Sequence, residues 1–420
     1  MKSAFHVLII FVIFTVNAYA IDDDSVSLFL KGNYKEAYPG LLNKAAQGDM
    51  AAQYGLAVIN ARGLGGVTTD LDKAVKWYRK AAEKGHKGAK KNLFKIYMSP
   101  EGNRIADNET LKYYMAAVES GNNNAIYYIG EMYFSGYGAI RNFEKAYKWY
   151  SKAARNGDER AQYSLGVMHQ RGFGVQKNEK EAVKWYKMAA EAGYVKAQYN
   201  MGLHCYLGKG VKKNQFKSFK WYLIAAENGF DKARFNLGIM YERGIGTTKD
   251  LNKSAHWFGE AAKQGHVMSQ YYYGLAFKGG LGVKQDLKKS MHWFSKASEK
   301  GAVRATYELA HMYYKGSGVT KNYAQARSLY KIAADKGFNK AMYSLGVMYA
   351  NGAGVKTNYI YAYKYLKISL ALGYKPAETP LATIKKKMSR KQLKEAETTA
   401  TEWINDNMIR NNNQQNQGWE

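Results

Sequence analysis

The sequence predicts an all-α fold, an α/α superhelical solenoid of helix-turn-helix repeats finished by a C-terminal capping helix, and three observations carry that expectation. The first is a period of 36 residues, plainest in Ala161-Gln-Tyr-Ser-Leu-Gly166, Ala197-Gln-Tyr-Asn-Met-Gly202 and Ala233-Arg-Phe-Asn-Leu-Gly238. A fixed period of about 20 to 50 residues marks units that bury their apolar faces only by stacking on one another. The second is that apolar residues within each period recur at helical spacing, without strand-like alternation of useful length. The third is composition: 4 Pro in 420 residues leave helices unbroken, while 46% hydrophobic and 14% aromatic residues supply the surface to bury.

Residues 1–20 stand apart from the repeats. Lys2 gives a positive start, Ala4 to Val16 is almost wholly apolar, and Ala18-Tyr19-Ala20 has the small-x-small form of a signal-peptidase site. Cleavage after Ala20 is therefore expected. The apolar run is short against the roughly 20 residues that span a bilayer. No Cys follows it to carry a lipid, and no later segment is apolar enough to span a membrane. These features predict a soluble chain exported to the periplasm or secreted, without a lipid anchor.

Residues 21–51 read as an N-terminal cap and half repeat, because Lys44-Ala-Ala-Gln-Gly48 parallels Lys80-Ala-Ala-Glu-Lys-Gly85. Nine repeats fill residues 52–376, starting at Ala52, Ala89, Ala125, Ala161, Ala197, Ala233, Ser269, Ala305 and Ala341. In the repeat from Ala161, a first helix places Ala161, Leu165, Met168 and His169 on one stripe. Gly172 and Gly174 end that helix, Val175 closes the turn, and Asn178 stands where an N-cap is needed. Asn142, Asn214, Asp250, Asp286, Asn322 and Asn358 repeat the cap. The second helix carries Ala182, Trp185, Tyr186, Ala189 and Ala190 on its inward side, small residues for close approach and the Trp to fill the gap. The second repeat departs from this plan, with Met98-Ser-Pro-Glu-Gly-Asn103 in place of the glycine turn and Tyr113 in place of Trp, so a local irregularity is expected.

Pro376 and Pro380 interrupt the helical run beyond the repeats, and residues 377–410 are expected to form capping helices. Ser389 and Gln392 form a capping-box signature that opens a helix with Leu393, Ala396, Ala400 and Trp403 on one side. Residues 411–420 are polar and expected to be disordered.

The formal charge of +29 falls only to +28 without Lys2, a field that favours anionic partners: acidic proteins first, an anionic envelope component next. Export makes nucleic acid an unexpected partner. Features that resemble active sites have simpler readings. The Gly-x-Gly turns follow helices and lack dinucleotide or P-loop spacing. Cys205 and His169 occupy a packing position held elsewhere by Tyr133, Tyr241, Phe277, Tyr313 and Tyr349. His256 and His292 share one position on successive units, about 8 to 10 Å apart, too far to share a zinc bound near 2 Å. No catalytic set recurs, so no enzyme activity, metal or cofactor is expected.

The residues resemble the Sel1-like repeats, relatives of tetratricopeptide repeats. From Ala125 the pattern reads Tyr127, Ile129-Gly130, Tyr133, Gly136-x-Gly138, Asn142, Lys145-Ala146, Trp149-Tyr150 and Lys152-Ala-Ala154, and the resemblance runs from about Asn33 to Ala377. It implies a right-handed superhelix of antiparallel helix pairs that serves as an adaptor or binding scaffold. One branch of the family has a disulfide in each repeat and is linked to penicillin-like compounds; the lone Cys205 departs from it.

By analogy with tetratricopeptide repeats, the residue before each repeat start and those nine and ten after it lie toward the concave side. These include Phe134, Arg160, Arg171, Lys196, Tyr206, Lys232, Arg243, Lys278, Arg304, Tyr314, Lys315 and Lys340, a basic groove with aromatic anchors for an acidic segment. A second row, Arg141, Lys177, Lys213, Lys249, Lys284, Lys321 and Lys356, runs along the turns as a solvated face. The expected function is a non-enzymatic exported scaffold that binds a protein. An immunity protein against an envelope-targeted toxin, or a virulence-associated binder of a host protein, is the alternative. A β-lactamase-like hydrolase using His169 or Cys205 is the reading of a different class.

Overall fold

The computed structural model describes residues 25–97 and 108–416, which places the expected signal peptide outside the described residues. Those residues form 22 α-helices and no strand, with consecutive helices packed in pairs within each unit, as in an α-solenoid. Two compact units are distinguished, one reaching Ala161 with Phe173–Val175, the other comprising Gln162–Gly172 and everything from Gln176 on.

Within the second unit the repeats are pairs of 13-residue helices, such as Val195–Leu207 with Gln215–Glu227 and Asp231–Arg243 with Leu251–Lys263. The second helix of each pair starts where the sequence places a short polar side chain. Asn142, Asn178, Asn214, Asp250, Asp286, Asn322 and Asn358 each accept a hydrogen bond from a main-chain N–H in the first helical turn. For Asn214 the donor is Lys217 N–H at 2.8 Å, and Asn214 N–H in turn donates to the Cys205 carbonyl at 2.8 Å. One side chain therefore caps a helix and ties it to its partner. Asn214→Ala is expected to lower stability by about 1 kcal/mol, measured by urea denaturation followed by far-UV circular dichroism.

In the middle of the second unit the interior forms local clusters, each joining the second helix of one repeat to the first helix of the next. One holds Ala182, Tyr186, Ala189, Ala190, Ala197, Met201 and Cys205; its neighbour holds Tyr222, Ala225, Ala226, Ala233, Leu237 and Met240. The repeat starts are the tightest positions, from Ala52 to Ala341 no more than 2% exposed. The plug between the helices is not the Trp, as expected above, but the aromatic residue after it. Tyr186 and Phe294 are 0% exposed, whereas Trp185 and Trp293 are only half-buried. Adjacent positions on a helix differ by about 100° in direction, so only one of the two rings faces inward. Trp221 and Trp257 instead lie against the cluster of the preceding repeat, and Lys296 stacks its ammonium 5.2 Å from the Trp293 ring centre.

In several repeats a glycine on the first helix makes room for the plug. A Cβ added to Gly166, Gly202 or Gly274 would sit 2.6 to 2.7 Å from the ring of Tyr186, Tyr222 or Phe294. Where the second helix carries Ser in place of Ala, its hydroxyl donates to the carbonyl of that same glycine, as in Ser218 to Gly202 at 2.7 Å and Ser290 to Gly274 at 2.9 Å.

The two glycines of each turn have different tasks. Gly208 ends its helix with φ 74°, the left-handed cap. Gly210, at φ 67°, rests against the start of the preceding second helix, and a Cβ there would lie 2.1 Å from the Glu179 carbonyl oxygen. Gly246 meets Gln215 and Gly282 meets Leu251 in the same way. The turns of the second unit are thus laid one upon another along a single edge.

The irregular second repeat keeps its helix pair, Lys87–Tyr97 and Asn108–Glu119, around a segment outside the described residues. At the far end Ser389 and Gln392 make both hydrogen bonds of a capping box, at 3.2 and 3.0 Å. The helix they open, Arg390–Asn416, packs on Tyr359–Ala371, burying Ala396 and Ala400 completely, and Tyr363 donates to Glu397 at 3.0 Å. That helix is described as far as Asn416, and residues 417–420 lie outside the described residues.

Candidate functional site

Contacts between successive first helices surround several of the predicted site residues. Arg160, just before a repeat start, reaches back onto the preceding first helix, its guanidinium 4.5 Å from the Tyr127 ring centre and 4.9 Å from that of Tyr128. Lys278, nine residues after a start, pairs at 2.6 Å with Glu308 on the next first helix. Each of the two predicted positions thus lies against a neighbouring first helix of its own unit. Second-helix tyrosines reach first-helix side chains within each unit: Tyr186 donates to Gln170 at 2.8 Å and Tyr150 to Glu131 at 2.7 Å.

The predicted residues divide into three groups. Arg171, Lys196, Lys232, Arg243, Arg304, Lys315 and Lys340 are exposed, and Tyr206 is 36% exposed beside Leu207 at 48%. Tyr314 is half-buried among His311, Tyr323 and Tyr330, with Lys315 5.8 Å from its ring centre. Phe134 and Arg160 are committed to the fold. Phe134 stacks among Phe143, Phe173 and Tyr150, with ring centres 5.3 to 6.2 Å apart. Arg160 is hydrogen-bonded to the Asp158 carboxylate and to Tyr128, and Asp158 also caps the helix through the Arg160 and Ala161 N–H groups. Asp158 is two residues away in sequence and was the available signal that Arg160 is not a groove cation.

Groups with potential chemistry are placed against it. Cys205 is 2% exposed, and burial pushes its thiol up, away from the reactive thiolate. Burial holds the half-buried His169 below the usual imidazole range, against a smaller opposing pull from Glu181. His311 is shifted the same way by burial and then by Lys278. Exposed His256 and His292 each lie edge-on to their own Trp. Among the described residues, no three His, Cys, Asp or Glu side chains are grouped to hold a metal ion, and no helix is long and apolar enough to cross a membrane.

A cavity of about 1100 Å³ in the first unit had no counterpart in the residue pattern. It is lined by Lys90, Lys91, Lys95, Tyr113, Tyr128 and Arg160 among others, around the second repeat, whose helices are shorter than those of the regular ones.

Capped 13-residue helix pairs and glycine-fitted plugs define an α-solenoid repeat protein. The chain belongs to the Sel1 repeat family, whose model matches residues 51–86, 123–158, 159–194, 195–230, 231–266, 267–301, 303–338 and 339–374. The irregular second repeat falls in the unmatched gap. Among solved structures, the chain is similar to c5321, a protective antigen present in uropathogenic Escherichia coli strains, with 28% identity over 90% of both chains and a TM-score of 0.50. It is also similar to a Sel1 repeat protein from Oxalobacter formigenes, with 29% identity, 62% of this chain and 96% of that one covered, and a TM-score of 0.45. The immunity protein Pa5087 from Pseudomonas aeruginosa matches at 20% identity over 52% of this chain and 83% of its own, with a TM-score of 0.32. Among curated proteins, none is similar enough to count as a match.

Proposed function

We propose that the chain is a non-enzymatic scaffold, exported through residues 1–20, that captures an acidic protein segment on the first-helix strip of its second unit. The observation that carries this reading is the recurrence of exposed cations on that strip: Lys196, Lys232, Arg304 and Lys340 before the repeat starts, and Arg171, Arg243 and Lys315 toward the helix ends. Carboxylates of a bound segment would make charge-assisted hydrogen bonds to these groups, with Tyr206 and Tyr314 as aromatic contacts between them. The likeness to a protective antigen over 90% of both chains supports a place outside the cytoplasm.

The test is affinity capture from envelope extract with the wild-type protein and with the triple variant Lys196→Glu, Lys232→Glu, Arg304→Glu. Capture by the variant is expected to fall by about a hundredfold or more, with the helical circular dichroism signal unchanged because all three side chains are exposed. Undiminished capture would assign the partner to another surface. The identity of the captured chain separates an envelope adaptor from an immunity protein or a binder of a host protein.

A further inference from the structure

We propose that the turn edge of the fifth repeat, with Lys209, Lys212, Lys213, Lys217 and Lys220 grouped around Phe216, docks the protein on an anionic lipid surface. This surface is separate from the first-helix strip and does not depend on the reading given to it.

The charge is concentrated rather than spread. Between Glu191 and Glu227 the chain has six Lys and no Asp or Glu, and five of those Lys fall within the turn and the first half of the helix Gln215–Glu227. All five are exposed. Carboxylates of the adjoining repeats are occupied locally: Asp250 caps its own helix and pairs with Lys253 at 3.7 Å, while Glu181 pairs with Lys184 at 2.6 Å. Glu179 is half-buried, its carboxylate 3.8 Å from His204 Nδ1. The stacked turns extend the basic edge through Lys249, Lys284 and Lys288, all exposed.

Phe216 decides the kind of partner. It is 57% exposed, with the Lys220 ammonium 4.5 Å from its ring centre, and Leu281, 44% exposed, lies on the same edge. A projecting ring among ammonium groups suits the boundary between headgroups and acyl chains, where the ring enters apolar surroundings and the ammonium groups stay level with phosphate. The cations are all Lys. Recognition of carboxylates in a folded partner gains from the planar fork of Arg, which the strip supplies at Arg171, Arg243 and Arg304; attraction to a field of headgroups needs only mobile point charges.

The edge is held ready for such contact. Gly208 N–H donates to the His204 carbonyl at 2.8 Å, Asn214 N–H to the Cys205 carbonyl at 2.8 Å, and the buried His204 holds the Lys209 carbonyl at 2.8 Å through Nδ1. With Gly210 seated on Glu179, the lysines project from a fixed turn.

Co-sedimentation of the full chain with phosphatidylcholine vesicles, with and without phosphatidylglycerol, tests the proposal; residues 1–20 are common to all variants, so differences among them report on the edge. The wild type is expected to favour the phosphatidylglycerol vesicles by about tenfold or more, and Lys212→Glu, Lys213→Glu, Lys217→Glu together to remove that preference. Phe216→Ser is expected to weaken vesicle binding several-fold while leaving retention by soluble polyglutamate unchanged. The strip variant Lys196→Glu, Lys232→Glu, Arg304→Glu should bind vesicles as the wild type does, which keeps this test distinct from that of the scaffold reading. The proposal is overturned if the wild type shows no preference for anionic vesicles or the triple turn variant keeps it. It is equally overturned if Phe216→Ser binds vesicles unchanged and polyglutamate displaces them, which would assign the edge to an acidic protein.

Discussion

Gly282→Ala is expected to destabilise the stack by about 3 kcal/mol or more, adding left-handed backbone strain to a collision with main-chain atoms of the neighbouring repeat. At φ 71° an alanine is already disfavoured, and its Cβ would stand 1.8 Å from the Leu251 carbonyl oxygen and 2.8 Å from the Asn252 nitrogen. Both obstacles are main-chain atoms at a helix start, so relief requires moving one repeat away from the next. Gly193→Ala is the control: its φ is 94°, yet nothing lies within 4 Å of an added Cβ. That variant should lose only about 1 kcal/mol, the conformational share. Urea denaturation of both variants measures the difference. Equal losses would mean that the turn does not bear on the neighbouring repeat.

Tyr186→Ala is expected to lower stability by about 3 to 5 kcal/mol, the range for removing a large aromatic side chain from a closed interior. Tyr186 is 0% exposed, packs against Tyr163 and His204, and donates its hydroxyl to Gln170. Trp185→Ala removes a larger side chain, but a half-buried one, and should lower stability by about 1 to 2 kcal/mol. The order of the two variants on a thermal or urea scale is the test: a Trp185 variant less stable than the Tyr186 variant would restore the Trp as the plug. Tyr186→Phe keeps the ring and loses one hydrogen bond, with an expected effect of about 1 kcal/mol.

The features legible in the sequence were those written by local chemistry. An Asn or Asp before a helix caps it whatever lies nearby, and Ser389 with Gln392 forms its box within a single turn. The plug was not legible in the same way, because Trp185 and Tyr186 are adjacent and both aromatic, and only the packing direction of the partner helix separates them. The usable signal was the correlation of Gly166, Gly202 and Gly274 with Tyr186, Tyr222 and Phe294, always twenty residues on. The strip was legible as a set of positions but not as a set of free charges. Arg160 is bound by Asp158 and two tyrosines, and Phe134 is absorbed by Phe143 and Phe173, contacts that appear only once the repeats are laid against each other.

The seat of each turn glycine on the helix before it has a consequence for how such a chain changes length. Gly246 rests on Gln215 as Gly282 rests on Leu251, so the two joints are interchangeable. Excision of residues 231–266 would bring the turn of Gly282 onto Gln215, a joint of the kind already made once in the molecule. Gain or loss of a whole unit therefore leaves no misfitted seam, and the reach of the protein varies in discrete steps while every surviving contact keeps its form.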